Sequence, residues 1–254
     1  MNNVLFAISL TLIAGLATGA GSLVVLFSKI TNKKFLSICL SFSAGVMLYI
    51  AFAEILLESF ETLEYTQGDG IGYLFGTAAF FVGIAIMAVI DKFIPHGDED
   101  ELKRTGIMSA IALAIHNFPE GIITFMAAVF DPAMGIAIAI AIVIHNIPEA
   151  LAMASPIYYS TGSKAKAFFI SLGAGLVQPL GALVAWALLQ NVFYGLETVF
   201  GVTFAIVAGI MVFVAIHQLL PAAQKFGEHH LVMKWLFAGM AVMAVSLVIL
   251  EFVF

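Results

Sequence analysis

Two ten-residue stretches carry the chemistry of this chain: LAIHNFPEGI, beginning at Leu113, and IVIHNIPEAL, beginning at Ile142. Their shared core is His116-Asn117-Phe118-Pro119-Glu120 in one and His145-Asn146-Ile147-Pro148-Glu149 in the other. On a helix, His at i and Glu at i+4 project from one face a turn apart, and Asn at i+1 lies about 100° round. Proline at i+3 lacks an N–H and crowds the carbonyl four residues earlier, here Ile115 or Ile144, so a bend and a freed backbone oxygen are expected. Two such helices side by side would converge two imidazoles, two carboxylates and two carboxamides. That mixed nitrogen and oxygen set suits zinc, iron, manganese, cobalt or nickel, and argues against a cuprous or an all-oxygen calcium site. A lone His or Glu could be satisfied by a helix neighbour. A four-residue pattern repeated at matched depth reads as function.

The elements that must position these residues follow from composition. The 254-residue chain is 62% hydrophobic and 10% charged, whereas a soluble domain carries about a quarter charged residues. The polar residues fall in short breaks between long apolar runs, the mark of membrane-spanning helices. We expect an all-α polytopic membrane protein in which residues 1–254 form a single transmembrane domain. Eight transmembrane helices are predicted, over roughly 3–28, 35–59, 71–94, 105–130, 133–159, 165–190, 197–221 and 232–253. The first apolar run has no basic residue ahead of it and exceeds the length of a signal-peptide core, so it is read as a span. Both His-Asn-x-Pro-Glu cores then sit near the bilayer midplane, on spans four and five. The short connection around Asp131 and Pro132 makes those spans antiparallel neighbours.

Orientation follows from the basic residues. Lys29, Lys33 and Lys34 follow span one, and Lys92, Lys103 and Arg104 flank the loop after span three. Lys164 and Lys166 follow span five, and Lys225 and Lys234 flank the loop after span seven. Those four loops are expected in the cytoplasm, with both termini outside. Gly15 and Gly19 in span one, and Gly173, Gly175 and Gly181 in span six, are expected to let helices approach closely.

Several function classes are excluded. The single cysteine, Cys39, forms no intramolecular disulfide and reads as a packing residue. A formal charge of −6 without a basic patch speaks against nucleic acid. No phosphate loop, dinucleotide fingerprint or nucleophile elbow occurs. The rival reading is an intramembrane metalloenzyme. A zinc protease would want HExxH, and a di-iron oxidase Glu-x-x-His pairs. Neither occurs at the two cores, so we expect no enzyme and no prosthetic group. A passive metal-selective channel differs only in mechanism.

Other polar positions are less decisive. Glu54, placed toward the outer end of span two, reads equally as ligand or as snorkelling interface residue. Gln178-Pro179 in span six reads as a packing hydrogen bond or a ligand. His217-Gln218 near the inner end of span seven is expected to be interfacial. His96 with Asp98, Glu99, Asp100 and Glu101, and Glu228 with His229 and His230, read as solvated charge.

The HNFPEG and HNIPEA motifs, the eight spans and the outward termini resemble the ZIP (zinc- and iron-regulated transporter-like) family, most closely its bacterial ZupT-type branch, over nearly the whole chain. The resemblance implies import of divalent metal into the cytoplasm, zinc foremost, then iron, manganese, cobalt or cadmium. It implies a multi-pass protein of the plasma membrane, the inner membrane in a Gram-negative cell, with the lipid bilayer and the metal ion as partners. A homodimer is left open. Carried over by position, a first subsite would use His116, Glu120, His145, Glu149 and Glu54. A second would use Asn117, Asn146 and Gln178, with Glu120 and Glu149 bridging. An elevator-like or rocking movement of one helix bundle against another is also implied. The chain departs from the branch at Gln178, where Glu is usual, at His217-Gln218, often acidic there, and at Ala150, where Gly is usual.

Overall fold

A computed structural model describes residues 2–27, 32–93, 101–189 and 197–253, and every regular element among them is helical. Eight helices are long and apolar enough to cross a membrane, as the sequence predicts. The first is α1 (Asn2–Leu26). The second joins α2 (Lys33–Ile50) to α3 (Leu56–Gln67) through a π-helical segment, Ala51–Ile55. The third is α4 (Ile71–Phe93), the fourth α5 (Glu101–Phe130) and the fifth α6 (Pro132–Thr161). The sixth is broken into α7 (Lys164–Gly175) and α8 (Val177–Leu189). The seventh runs from α9 (Glu197–Phe213) through a second π segment, Val214–Leu219, into α10 (Leu220–Phe226), and the eighth is α11 (His229–Val253).

Local chemistry sets the ends. Asp131 caps α6, its carboxylate accepting from the Ala133 and Met134 amides with Pro132 at the first helical position. Ser163 caps α7 in the same way through the Lys166 amide, directly after Gly162 closes α6 at φ 67°. The second span differs from its predicted end near residue 59. It continues to Gln67, because the polar stretch LLESFETLEYTQ is made of residues that tolerate a helix, and it stops at Gly68 with φ 87°. Glu54 therefore lies well inside this span, thirteen residues before its end at Gln67, and not near the outer end as expected.

The helices sort into two groups of four spans that pack mainly within themselves. One bundle holds α1, α5, α6 and α7–α8; the other holds α2–α3, α4, α9–α10 and α11. Glycines bring the backbones together in both. A Cβ at Gly15 would sit 2.4 Å from the Gly175 carbonyl oxygen, and one at Gly175 would sit 2.2 Å from that of Gly15. Gly83 and Gly209 join α4 to α9 in the second bundle, and Gly45 and Gly239 join α2 to α11. Gly173 departs from the packing expectation: nothing lies within 4 Å of the position its Cβ would take. Across the divide, Ser43 on α2 donates a hydrogen bond of 2.5 Å to the Pro148 carbonyl on α6.

Candidate metal centre

α5 and α6 continue as helices through Pro119 and Pro148 and place the two cores halfway along their lengths. His and Glu, four residues apart, share a face of each helix, and the two faces meet. His116 Nε2 lies 2.9 Å from Glu149 Oε2, and His145 Nε2 lies 3.2 Å from Glu120 Oε1. Each histidine is thus held by the other helix's glutamate. The ring of His116 is fixed further by its Nδ1, 3.1 Å from the Ala112 carbonyl one turn earlier. With Nδ1 turned to that carbonyl, Nε2 is the ring nitrogen that faces the partner helix.

Behind this pair the two asparagines are anchored through their amide nitrogens. Asn117 Nδ2 donates to the Ala174 carbonyl at 3.0 Å, and Asn146 Nδ2 donates to the Ala14 carbonyl at 3.1 Å. Asn146 Nδ2 also reaches Gln178 Oε1 at 3.4 Å. The break in the sixth span explains how Gln178 arrives there. α7 stops at Gly175, and Pro179, which has no N–H to give to a preceding turn, sits in the first turn of α8. A set of buried polar atoms then has no protein partner: Asn117 Oδ1, Asn146 Oδ1, Glu120 Oε2, Glu149 Oε1, His145 Nδ1 and Gln178 Nε2. Leaving such atoms unpaired costs about 1–3 kcal/mol each, so their concentration at one depth calls for a ligand. Five of the six are acceptors by nature or tautomer, which is the chemistry of a cation. Among the described residues, no three His, Cys, Asp or Glu side chains are arranged to hold a metal as they stand. The His–Glu contacts must open for one to be bound.

A cavity of about 310 Å³ reaches this centre, lined by His116, Glu120, His145 and Glu54. It adjoins a second cavity of about 350 Å³, whose walls carry Glu58, Asp131 and Glu197. Glu58, Ile123, Met134, Ile138 and Phe204 line both. Together they form a path from the end of the molecule opposite the lysines down to the histidines. Glu54 and Glu58 lie on either side of the junction between the π segment and α3 and line one wall. Sequence reasoning missed Glu58, although its spacing of four from Glu54 was the available signal.

The comparisons with known proteins decide the family. The ZIP zinc transporter family model matches residues 3–105 and 96–247. The chain belongs to the ZIP family. It is 50% identical over 267 residues to the zinc transporter ZupT of Lysinibacillus sphaericus, covering 98% of each chain. It is 47% identical over 266 residues to that of Chlorobaculum parvum, again with 98% of each covered. With the Clostridium perfringens ZupT the identity is 46% over 279 residues, covering 98% of this chain and 97% of the relative. This ZIP chain is accordingly a multi-pass membrane protein and not an enzyme.

The remaining sequence-predicted residues lie elsewhere. His217 is 55% exposed, as an interfacial residue would be. Gln218 is not: it is buried and donates to Asp91 Oδ1 at 2.8 Å, because the π segment turns it into the second bundle. Glu228, His229 and His230 are exposed. His96, Asp98, Glu99 and Asp100 lie outside the described residues.

Proposed function

We propose that this ZIP protein imports divalent transition-metal ions into the cytoplasm, zinc first, with ferrous iron, manganese, cobalt and cadmium as further cargoes. The observation that carries the reading is the pair of crossed His–Glu contacts at the foot of an acidic, water-wide cavity. The lysine-bearing end is the cytoplasmic one under the positive-inside rule, so the cavity faces outward.

A cation attracted past Glu58 exchanges water for the carboxylate of Glu54 further in. It then takes the Nε2 atoms of His116 and His145 and the oxygens of Glu120 and Glu149 in place of the contacts they make with one another. Asn117 Oδ1 and Asn146 Oδ1, already aimed by their anchored amides, add neutral oxygens. Nitrogen and carboxylate donors without thiolate suit zinc or iron, and the His–Glu contacts compete with the ion for the same atoms. The ion can therefore leave.

The test is uptake of zinc and ferrous iron into proteoliposomes by the wild type, His116→Ala and Glu149→Ala. Either substitution should cut flux by about tenfold or more, since each strands a buried partner and removes a donor. Undiminished flux in both variants would move the pathway elsewhere. Absence of wild-type flux in folded, reconstituted protein would overturn the import reading.

A further inference from the structure

Far from the metal centre, the lysine-bearing end of the molecule holds a second buried polar cluster. Arg104, in the first turn of α5, belongs to the first bundle; Asp91, two residues before the end of α4, belongs to the second. The Arg104 Nη2 forms an ion pair with Asp91 Oδ2. Gln218, from the π segment of the second bundle, donates to the other carboxylate oxygen at 2.8 Å. His217 Nε2 stands 3.5 Å from Oδ2. Asp91 is 7% exposed, and Arg104 Nε is buried without a hydrogen-bond partner, so each charge depends on the other for compensation.

The placement gives this ion pair a role. The cavity to His116 and His145 runs between the bundles from the opposite end, where Ile123 and Met134 of one bundle face Phe204 of the other. The bundles are therefore parted at one end and pinned at the other. An ion crossing the membrane needs the pinned end to part as well. Resting on the transport reading, we infer that Arg104 and Asp91, braced by Gln218, form a latch that keeps the cytoplasmic end shut while the outer cavity is open, and that this latch breaks in each transport cycle. Gln218 presets the carboxylate from within its own bundle, so the contact that opens is the one to Arg104. These are positioning residues: in this conformation none of them lines the cavity that reaches the histidines.

Removing a latch and removing a structural prop have opposite signatures. Without a latch the molecule spends more time closed at the outer end. Without a prop the packing loosens and outer positions become more reachable. The experiment reads this from Ile138, which lines the outer cavity. An Ile138→Cys reporter in a Cys39→Ala background is reacted with a charged methanethiosulfonate in nanodiscs, where both ends meet solvent. Arg104→Gln and Asp91→Asn should each slow modification by about threefold or more, the consequence of shifting a two-state population. Arg104→Lys should stay near the parent rate. Asp91→Asn is isosteric and carries the test where Arg104→Gln does not accumulate. An unchanged or faster rate in the neutralised variants would overturn the latch. The labelling requires no transport, so zinc uptake by the parent protein in proteoliposomes tests the functional reading separately.

Discussion

His116 reaches Glu149 and His145 reaches Glu120, so a cation taken up as proposed must displace both contacts. The sign of the pH dependence follows. Protons and metal compete for the same nitrogen and carboxylate atoms, and binding releases protons. Zinc flux should therefore fall as the medium is made more acidic. Uptake into proteoliposomes at constant free zinc checks this, and a flat profile would count against a histidine-lined path. Gln178 sets a second expectation. Its Oε1 already accepts from Asn146, and its Nε2 is buried with no partner, a donor placed where cations would want an acceptor. Gln178→Glu exchanges that donor for a carboxylate oxygen. The zinc bound per chain at saturation, read by metal analysis of purified protein, should rise. An unchanged ratio would mean that this position lies outside the bound ion's reach.

At the scale of elements, the two motifs differ by Gly121 after the first glutamate and Ala150 after the second, and packing explains the asymmetry. A Cβ at Gly121 would lie 1.8 Å from the Gln178 carbonyl oxygen, so α5 needs glycine to let α8 come close. On α6 the neighbour is Gly21 of α1, and the space that glycine leaves is filled by Ala150. Gly121→Ala should therefore displace α8 together with Gln178, lower thermal stability by an amount of about 1–3 kcal/mol, and weaken zinc binding. Gly173→Ala, which meets nothing, should leave the melting temperature within about a degree or raise it. Melting of the two purified variants beside the wild type would decide, and equal losses would show that this packing argument is wrong. The same contrast marks what the sequence could tell. Helix existence, the two cores and their matched depth were legible, because apolar length and an i, i+4 pattern are local signals. The π segments at Ala51–Ile55 and Val214–Leu219 were not, since neither carries a breaker within it. Nor was the burial of Asp91 and Gln218, which depends on an arginine from another bundle.

At the scale of the whole molecule, charge is polarised along the membrane normal. Among the described residues, no Lys or Arg stands at the end where the cavity opens, and Glu58, Glu61, Glu64, Asp69, Asp131 and Glu197 all do. Three of these, Glu58, Asp131 and Glu197, line the cavity at that end. An acidic mouth walled by apolar Phe130, Phe200 and Phe204 concentrates field lines and raises the local density of divalent cations. That effect belongs to encounter and not to the ligands at midplane, so it acts on uptake at low metal and not on the saturated rate. Raising ionic strength from about 0.01 M to about 0.15 M shortens the screening length from about 30 Å to about 8 Å, which severs the mouth from bulk ions. The initial rate at zinc well below saturation should fall by about threefold over that range, while the maximal rate holds. Glu58→Gln should raise the zinc concentration for half-maximal uptake by a similar factor at low salt and flatten the salt dependence. It removes a charge at the point where the two cavities meet without touching His116 or His145. Flux measured over a zinc titration at both salt concentrations separates the outcomes. A Glu58→Gln protein whose maximal rate collapses would make Glu58 a ligand of the ion in transit, whereas one that keeps both its half-maximal concentration and its salt slope would leave the mouth without a role in capture.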